Sequence, residues 1–385
     1  MNPLTIGMVC FPSLGGSGVV ATELAMGLAE RGHRVHLVSS ARPGRLESTP
    51  PQLAVHVADV PDYPLFEHAP YESALASKIL EVARAHRLDL LHVHYAVPHA
   101  ACGALARAFL GPGAPPLVTS LHGTDVNRTG SDPRLRAITA AAVAASDGIV
   151  APSAWLRQEA RDRLGIEADV EIIANFVDTE RFSPPRARDP SRLLRLFPEG
   201  GSGPILFHVS NFRTVKRTPD LPEILARVRR HLPARLVLVG DGPDRERVEA
   251  RVHELGLCGS VRFLGPQGTA FVEELRHADA FLLPSESESF GLAALEALAC
   301  GVPVFGYRVG GLDEVVPPDV GALVDPFDAD ALAARIVATL ATPGARDRLG
   351  AAARARALDR FRRDLALDRY LAFYRRILAS RAEQE

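Results

Sequence analysis

Short apolar segments rich in β-branched residues alternate with longer amphipathic segments along almost the whole chain. Strands that alternate with helices in this way are typical of βαβ units, in which helices cover both faces of a parallel sheet. The pattern therefore predicts an α/β chain built from doubly wound sheets. The strand candidates are LTIGMVCF, HRVHLVSS, LAVHVAD, LDLLHVHYA, PLVTSLHG, DGIVAPS, VEIIANFV, PILFHVSNF, ARLVLVGDG, SVRFLGP, AFLLPSE, VPVFGYRVGG and GALVDP.

The alternation lapses between about residues 179 and 203, where proline, glycine and arginine dominate. Such a composition is typical of a connection between domains. We therefore expect an N-terminal domain over 1–178 and a C-terminal domain over 179–362, with a final helix at about 363–385 that packs back on the first domain. Ligands of doubly wound sheets bind beyond the carboxyl ends of the strands, so we expect a ligand cleft between the two domains.

The bulk composition argues against several classes of partner. The 385 residues include 44 basic and 46 acidic side chains, and this near balance gives no reason to expect nucleic acid or an anionic membrane as a partner. No segment approaches the ~20 apolar residues that cross a bilayer, and the N-terminus lacks the pattern of a signal peptide. The four cysteines show no metal-binding or disulfide spacing. We expect a cytoplasmic protein, and the sequence leaves homo-oligomer formation open.

A run of small residues separates the first strand from the first helix: Gly15, Gly16, Ser17 and Gly18. Glycines in this place permit close approach to the backbone, and the N-terminus of the following helix offers N–H groups to an anion. The spacing differs from the G-x-G-x-x-G pattern of dinucleotide-binding proteins. The run fits a plain tight turn and an anion-binding loop about equally well.

Histidines occupy the fourth strand candidate. His92 and His94 are two residues apart and share one strand face, but no carboxylate or cysteine nearby in sequence completes the three or four ligands of a metal site. Packed or hydrogen-bonded histidines are therefore the favoured interpretation. Tyr95, at the end of this strand, is the better candidate for contact with a ligand.

The stretch VTSLHGTDVN ends the next strand candidate and places Thr119, His122 and Asp125 close together. A helix cap made by Thr124 or Asp125 would explain one of these residues. It leaves His122 and Thr119 without a structural reason, so both are candidates for ligand contacts.

The stretch SESESFGLAALEALACGVP contains two acidic residues that a helix would bring together. We expect a helix from about Ser289, with Glu288 at its mouth and Glu296 eight residues later, rotated by about 80°. The N–H groups of Ser289, Phe290 and Gly291 would then bind a phosphate, flanked by sugar hydroxyls on the two carboxylates. The helix dipole would explain Glu288 alone, but a charged residue among the apolar neighbours of Glu296 needs a polar partner.

Two further loops complete this predicted phosphate site. Arg213, Lys216 and Arg217 follow the first strand of the second series, where a charge-assisted bond to a diphosphate is worth about 1.5–3 kcal/mol. A solvated basic segment is the alternative interpretation. Gly310 and Gly311 predict a second backbone turn near the same place.

The stretches ESFGLAALE, VGGLDEVV and HGTD together resemble the retaining glycosyltransferases of GT-B architecture, family 4 type. The resemblance covers almost the whole chain, and FPSLGGSGVVATEL, HVHYAVPHA, NFVDTERF and HVSNFRTVKR are similar to members that act in bacillithiol synthesis. It implies two Rossmann-like domains facing across a cleft. Many relatives have Ser-Arg-Leu where this chain has Ser210, Asn211 and Phe212, so the missing phosphate-binding charge falls to Arg213.

The resemblance also implies roles for individual residues, with Glu288 on the sugar hydroxyls and Glu296 on the ribose. The implied catalytic residues are His122, Glu288, Arg213 and Lys216. The implied donor-binding residues are Gly15, Gly16, Arg213, Lys216, Glu288, Ser289, Phe290, Gly291 and Glu296. The implied acceptor-binding residues are Ser17, Tyr95, Thr119 and Asn211.

The implied reaction transfers N-acetylglucosamine from UDP-N-acetylglucosamine to the hydroxyl of L-malate with retention of configuration, and releases UDP. No cofactor and no metal are expected, since the Asp-Ala-Asp triplet at 328–330, which is like a metal motif of other nucleotide-sugar enzymes, is explained by an N-cap. The alternatives are an epimerase of UDP-N-acetylglucosamine with the same fold, a transferase with a lipid or polyol acceptor, and a nucleotide-sugar sensor.

Overall fold

The protein forms two compact units in a computed structural model, which describes residues 2–13, 15–46, 48–62, 67–187, 189, 191–192, 195–197 and 203–383. Unit 1 comprises Met1–Asn175 and Arg363–Glu385, and unit 2 comprises Phe176–Arg362. The first boundary thus follows residue 175, three residues before the predicted boundary after residue 178. Parts of the predicted connection at 179–203 lie outside the described residues.

Unit 1 is built on one parallel sheet. Its strands are β1 (Thr5–Val9), β2 (Arg34–Ser39), β3 (Leu53–Val57), β4 (Leu90–His94), β5 (Leu117–Ser120), β6 (Gly148–Ala151) and β7 (Val170–Ile172). The α-helices in its first segment, up to residue 175, are α1 (Gly16–Glu30), α2 (Tyr71–His86), α3 (Ala101–Leu110), α4 (Arg136–Ala144) and α5 (Ala154–Leu164). The seven strands lie in the order β3-β2-β1-β4-β5-β6-β7.

Unit 2 repeats this plan with a sheet of six parallel strands. They are β8 (Ile205–Val209), β9 (Arg235–Val239), β10 (Val261–Gly265), β11 (Ala280–Leu283), β12 (Val304–Tyr307) and β13 (Gly321–Val324). The helices are α6 (Asp220–Val228), α7 (Arg245–Glu254), α8 (Val272–Leu275), α9 (Leu292–Ala299), α10 (Leu312–Val315), α11 (Ala329–Ala341) and α12 (Ala345–Arg360). The strand order is β10-β9-β8-β11-β12-β13.

The apolar sequence runs become strands because helices cover both faces of each sheet. All five residues of β4 are buried, as are four of the five in β1 and in β9. Each predicted strand candidate contains one of the observed strands, so the predicted α/β class with two doubly wound sheets is confirmed.

The strand order reverses at the first strand of each unit. β1 lies between β2 and β4, and β8 lies between β9 and β11. The loops that follow β1 and β4 therefore lie at the topological switch point of unit 1, and those that follow β8 and β11 lie at that of unit 2. Open α/β sheets bind their ligands at such points.

The C-terminal segment forms helix α13 (Arg363–Ala382) and packs on unit 1. The Tyr374 hydroxyl lies 2.7 Å from His92 Nδ1 in the middle of the sheet. Arg31 at the end of α1 pairs with Asp368 at 2.5 Å. The expectation that this segment packs back on the N-terminal part agrees with these contacts. No helix in the described part of the chain combines the length and apolar character that a membrane crossing requires.

Glycine at position 148 is needed where α13 covers strand β6. A Cβ there would lie 2.7 Å from the Phe373 ring and 2.9 Å from the Ile377 side chain. We expect Gly148→Ala to destabilise unit 1 by about 1–3 kcal/mol through overpacking, measured by urea unfolding.

Gly113→Ala is the matched control, because a Cβ at that position would meet nothing within 4 Å. It should change the free energy of unfolding by no more than about 0.5 kcal/mol. Equal stability of the two variants would contradict the packing of α13 on β6.

Candidate active site

The glycine run forms the turn into α1, at the switch point of unit 1. Gly15 is the extended N-cap residue, and its carbonyl accepts the N–H groups of Gly18 and Val19 at 3.1 and 3.4 Å. A Cβ at Gly18 would lie 2.5 Å from the Ser13 carbonyl oxygen, so the tight turn itself requires this glycine.

Gly16 differs from Gly18 in what surrounds it. A Cβ at Gly16 would meet nothing within 4 Å among the described residues, and the residue is exposed. The first turn of α1 contains no acidic side chain, so no negative charge there would repel an anion. The tight-turn interpretation therefore holds at Gly18, and the anion-binding interpretation stays a prediction for Gly16, whose backbone is open.

The loops after β1, β4 and β5 bring three aromatic rings together. Tyr95 stacks near-parallel to His122 with ring centroids 6.4 Å apart, and Phe11 meets Tyr95 edge-on at 5.3 Å. Tyr95 has a φ of +109°, an unfavourable conformation for a residue with a side chain. Such backbone strain clusters at binding sites, because the surrounding structure must impose it.

The histidines of β4 have different environments. His92 lies 2.7 Å from the Tyr374 hydroxyl and 2.8 Å from the Ser120 hydroxyl, which confirms it as a packed, hydrogen-bonded residue. His94 Nδ1 lies 3.1 Å from His122 Nε2. Burial lowers the pKa of both His92 and His122 to about 3. Both imidazoles are therefore neutral at physiological pH.

Asp125 organises the loop that carries His122. Its carboxylate accepts the backbone N–H groups of Gly123 at 2.7 Å, His122 at 3.1 Å and Ala96 at 3.3 Å. Burial raises the pKa of Asp125 to about 6, while these hydrogen bonds act in the opposite direction. Asp125, predicted as a possible helix cap, instead fixes the conformation of the loop through these bonds. Thr124, which occupies the N-cap position, makes no side-chain capping bond.

The four predicted acceptor residues belong to both units. Ser17 and Tyr95 lie in loops of unit 1, after β1 and β4. Thr119 lies within β5, fully buried, and its hydroxyl is 2.7 Å from that of Ser146, which satisfies it internally. Asn211 is exposed in the loop after β8 of unit 2.

Glu288 and Lys216 form the charged centre of unit 2. Lys216 Nζ donates to Glu288 Oε1 at 2.6 Å, and the Ser285 hydroxyl donates to the same oxygen at 2.8 Å. Glu288 is 8% exposed. The two residues meet because β8 and β11 are neighbours, and the Glu286 N–H holds their loops together by bonding to the Val215 carbonyl at 2.8 Å.

The predicted start of the helix near Ser289 is wrong. Helix α9 begins at Leu292, with Gly291 as its left-handed N-cap at φ +95°. Glu288 therefore precedes the helix, while Glu296 is buried inside it, and the predicted rotation of about 80° between them does not apply.

The loop before α9 is shaped by contacts that the helical pattern does not reveal. The Glu288 carbonyl accepts the Gly311 N–H at 2.8 Å, and a Cβ at Gly310 would collide with that carbonyl oxygen. The predicted approach of the Gly310–Gly311 turn is confirmed. The side chain of Phe290 is buried against Phe361, with ring centroids 5.7 Å apart, so only its backbone is available to a ligand.

The three basic residues after β8 have separate roles. Lys216 bonds to Glu288, as described above. Arg217 pairs with Asp220 at 2.8 Å and lies 4.4 Å from the Phe327 ring centroid, so it supports the fold. Arg213 is exposed, with its main chain at the start of the short turn that carries Lys216.

The N-cap interpretation of the acidic triplet is confirmed. Asp328 accepts the Ala331 N–H at 2.8 Å as the N-cap of α11, and Asp330 pairs with Arg227 at 2.8 Å. Two contributors to the sites were missed in the sequence. Phe11 lies two residues after the end of β1, and Ser285 stands three residues before Glu288.

Comparisons with known proteins cover both units. The descriptions "Glycosyltransferase Family 4" and "Glycosyl transferases group 1" match residues 14–181 and 197–356, respectively. The N-acetyl-alpha-D-glucosaminyl L-malate synthase of Bacillus anthracis is 40% identical over 376 residues, 97% of each chain. The D-inositol 3-phosphate glycosyltransferase of Xylanimonas cellulosilytica is 32% identical over 373 residues, 89% of this chain and 87% of the other.

Solved structures share the fold. Sucrose-phosphate synthase from Thermosynechococcus elongatus has a TM-score of 0.81 and 23% identity, covering 98% of this chain and 100% of the other. Anabaena HepE in complex with UDP-glucose has a TM-score of 0.78 and 22% identity, covering 99% of this chain and 100% of the other. On this evidence the chain belongs to the family 4 type of GT-B glycosyltransferases and is a sugar-transferring enzyme.

Proposed function

We propose that this enzyme transfers N-acetylglucosamine from UDP-N-acetylglucosamine to the hydroxyl of L-malate, with retention of configuration and without a metal ion. The observation that carries the proposal is the 40% identity to the N-acetyl-alpha-D-glucosaminyl L-malate synthase of Bacillus anthracis over 97% of both chains. The product would be the malate glycoside that begins bacillithiol synthesis, made in the cytoplasm.

The charged centre of unit 2 supports donor binding. An ammonium group has three N–H donors, so the bond from Lys216 to Glu288 leaves two for the oxygens of the diphosphate. Both side-chain bonds to Glu288 use Oε1, which leaves Oε2 to accept sugar hydroxyls. Arg213, being exposed on the same turn, adds the second positive charge, and Glu296 is assigned to the ribose.

Unit 1 supports acceptor binding through neutral groups. The open backbone at Gly16, the Ser17 hydroxyl and the N-terminus of α1 suit the carboxylates of malate and the diphosphate. Tyr95 and His122 stand at the neighbouring strand ends. Thr119 is left out of this assignment because its hydroxyl already bonds to Ser146.

In the proposed step the malate hydroxyl oxygen forms a bond to the anomeric carbon on the face from which UDP departs. The bond between that carbon and the phosphate oxygen breaks, and UDP leaves with the electron pair. The hydroxyl proton passes to the departing phosphate oxygen. Orientation of the two substrates and stabilisation of charge on the leaving group lower the barrier.

The alternatives differ in what they require. An epimerase would turn over UDP-N-acetylglucosamine without an acceptor, and a polyol transferase would prefer another hydroxyl compound. Of the two relatives reported above, one is named an L-malate synthase and the other a D-inositol 3-phosphate glycosyltransferase. An acceptor panel of L-malate, D-malate and D-inositol 3-phosphate therefore separates the hypotheses.

Release of UDP from UDP-N-acetylglucosamine should require L-malate. Glu288→Gln should lower kcat/KM by about 10- to 100-fold for each hydrogen bond that the sugar loses. Steady-state UDP release, with the glycoside identified by mass spectrometry, measures both effects.

Glu286→Gln is the matched control, because this acidic residue lies two positions earlier and is exposed. It should retain wild-type kcat/KM. UDP release that is equal with and without malate would refute the acceptor assignment, and normal turnover by Glu288→Gln would refute its contact with the donor.

Ser17→Ala should raise KM for malate by about 10-fold, because one hydrogen bond to a charged carboxylate is lost. Turnover at saturating malate and KM for the donor should change little. Ser131→Ala, which alters an exposed serine elsewhere in unit 1, is the control. An unchanged malate KM in Ser17→Ala would mean that the opening loop does not bind the acceptor.

His122→Asn should lower turnover without moving the pH profile. Burial holds the pKa of His122 at about 3, so its ring stays neutral above pH 4 and supplies a hydrogen bond rather than a proton. The rate should therefore show no inflection near pH 6.5 that depends on this residue. A wild-type inflection there that disappears in His122→Asn would show that the charged form acts instead.

A further inference from the structure

A second group of imidazoles lies at the edge of the unit 1 sheet and shares no residue with the proposed transfer site. His36 belongs to β2, His56 to β3, and His86 is the last residue of α2. One ring nitrogen from each lies within 4.8 Å of the other two. His36 Nδ1 lies 3.0 Å from His56 Nε2, and the His36 and His86 rings stack at 3.9 Å.

The topology explains why three residues far apart in sequence meet here. In the parallel ladder His36 stands opposite Ala54, and His56 opposite Val38, so the two histidines are offset by two positions and point to the same face. Helix α2 packs against β2 and β3 and ends at His86, after which Arg87 turns the chain with φ +47°. Three regular elements therefore hold the three rings.

We propose that His36, His56 and His86 bind one divalent transition-metal ion, with Zn²⁺ as the preferred species. Imidazole nitrogen is a common ligand of Zn²⁺, and three histidines leave the fourth tetrahedral position to water. Nitrogens about 2.05 Å from a tetrahedral ion are about 3.3 Å apart. The His36 and His56 nitrogens, 3.0 Å apart, would separate slightly, and the His86 ring, which stacks on His36, would rotate to point its nitrogen at the ion.

The environment allows that rotation and gives access to the ion. His36 is buried and His56 is half-buried, whereas His86 is exposed, so its ring can turn toward the other two and the open position faces solvent. Lys78 of α2 acts electrostatically on His56 and disfavours a nearby cation, while the Glu81 carboxylate, which pairs with Lys78 at 2.7 Å, acts more weakly in the opposite direction.

The bound ion would join the edge strand β3 to the end of α2, which is a structural role. It takes no part in the transfer step, for which no metal is proposed. The two proposals can therefore fail independently, since metal binding and sugar transfer are measured separately.

Untagged, full-length protein stripped with a chelator and dialysed should bind one Co²⁺ per chain, with the intense visible bands of tetrahedral Co²⁺. Zn²⁺ should displace the Co²⁺, and elemental analysis should give one zinc per chain. Loss of one ligand in His86→Gln should weaken Zn²⁺ binding by at least about 10-fold, and His56→Gln should do the same.

His253→Gln is the matched control, because His253 is also exposed and lies at the end of a helix, α7. It should bind Zn²⁺ as the wild type does, and circular dichroism should show that all three variants are folded. Absence of stoichiometric binding by the wild type would overturn the proposal. Equal Zn²⁺ affinity in the wild type, His86→Gln and His56→Gln would overturn it as well.

Discussion

The order of the parallel strands is the constraint on which both groups of polar side chains depend. In each unit the first strand lies between two strands reached by connections on opposite sides, so the loops after the two central strands separate and leave backbone groups open. In unit 1 these loops carry Gly16 and Tyr95. In unit 2 they carry Lys216 and Glu288. The candidate functional residues of each unit therefore lie at the switch point of its sheet.

The polar groups at the switch points of the two units are stabilised in different ways. In unit 1, burial keeps His92 and His122 neutral, and backbone N–H groups satisfy the Asp125 carboxylate. Unit 2 instead pairs the nearly buried Glu288 with Lys216, because a carboxylate in that position is costly without a partner. A dicarboxylate acceptor would meet amides and a hydroxyl, and a diphosphate would meet cations.

The strands and their parallel arrangement could be predicted because burial on both faces requires continuous apolar runs, which a sequence displays directly. The start of α9 could not, since the helical spacing of apolar residues extends through Ser289 and Phe290. The helix starts only after Gly291, which has φ +95°, and the residues before it are held by the bond from the Gly311 N–H to the Glu288 carbonyl. That bond joins residues from different loops. Thr119 was predicted to line a ligand site, yet its hydroxyl meets Ser146, a residue that follows α4.

The sequence by itself determined the two α/β units, the loops that carry polar residues and the family motifs, because each is written in residues that are neighbours along the chain. Only the tertiary structure decided which of those residues meet. The bond between Lys216 and Glu288 and the meeting of His36, His56 and His86 both join distant positions. Such contacts depend on the order of the strands in the sheet, and strand order is a tertiary property that local sequence patterns do not specify.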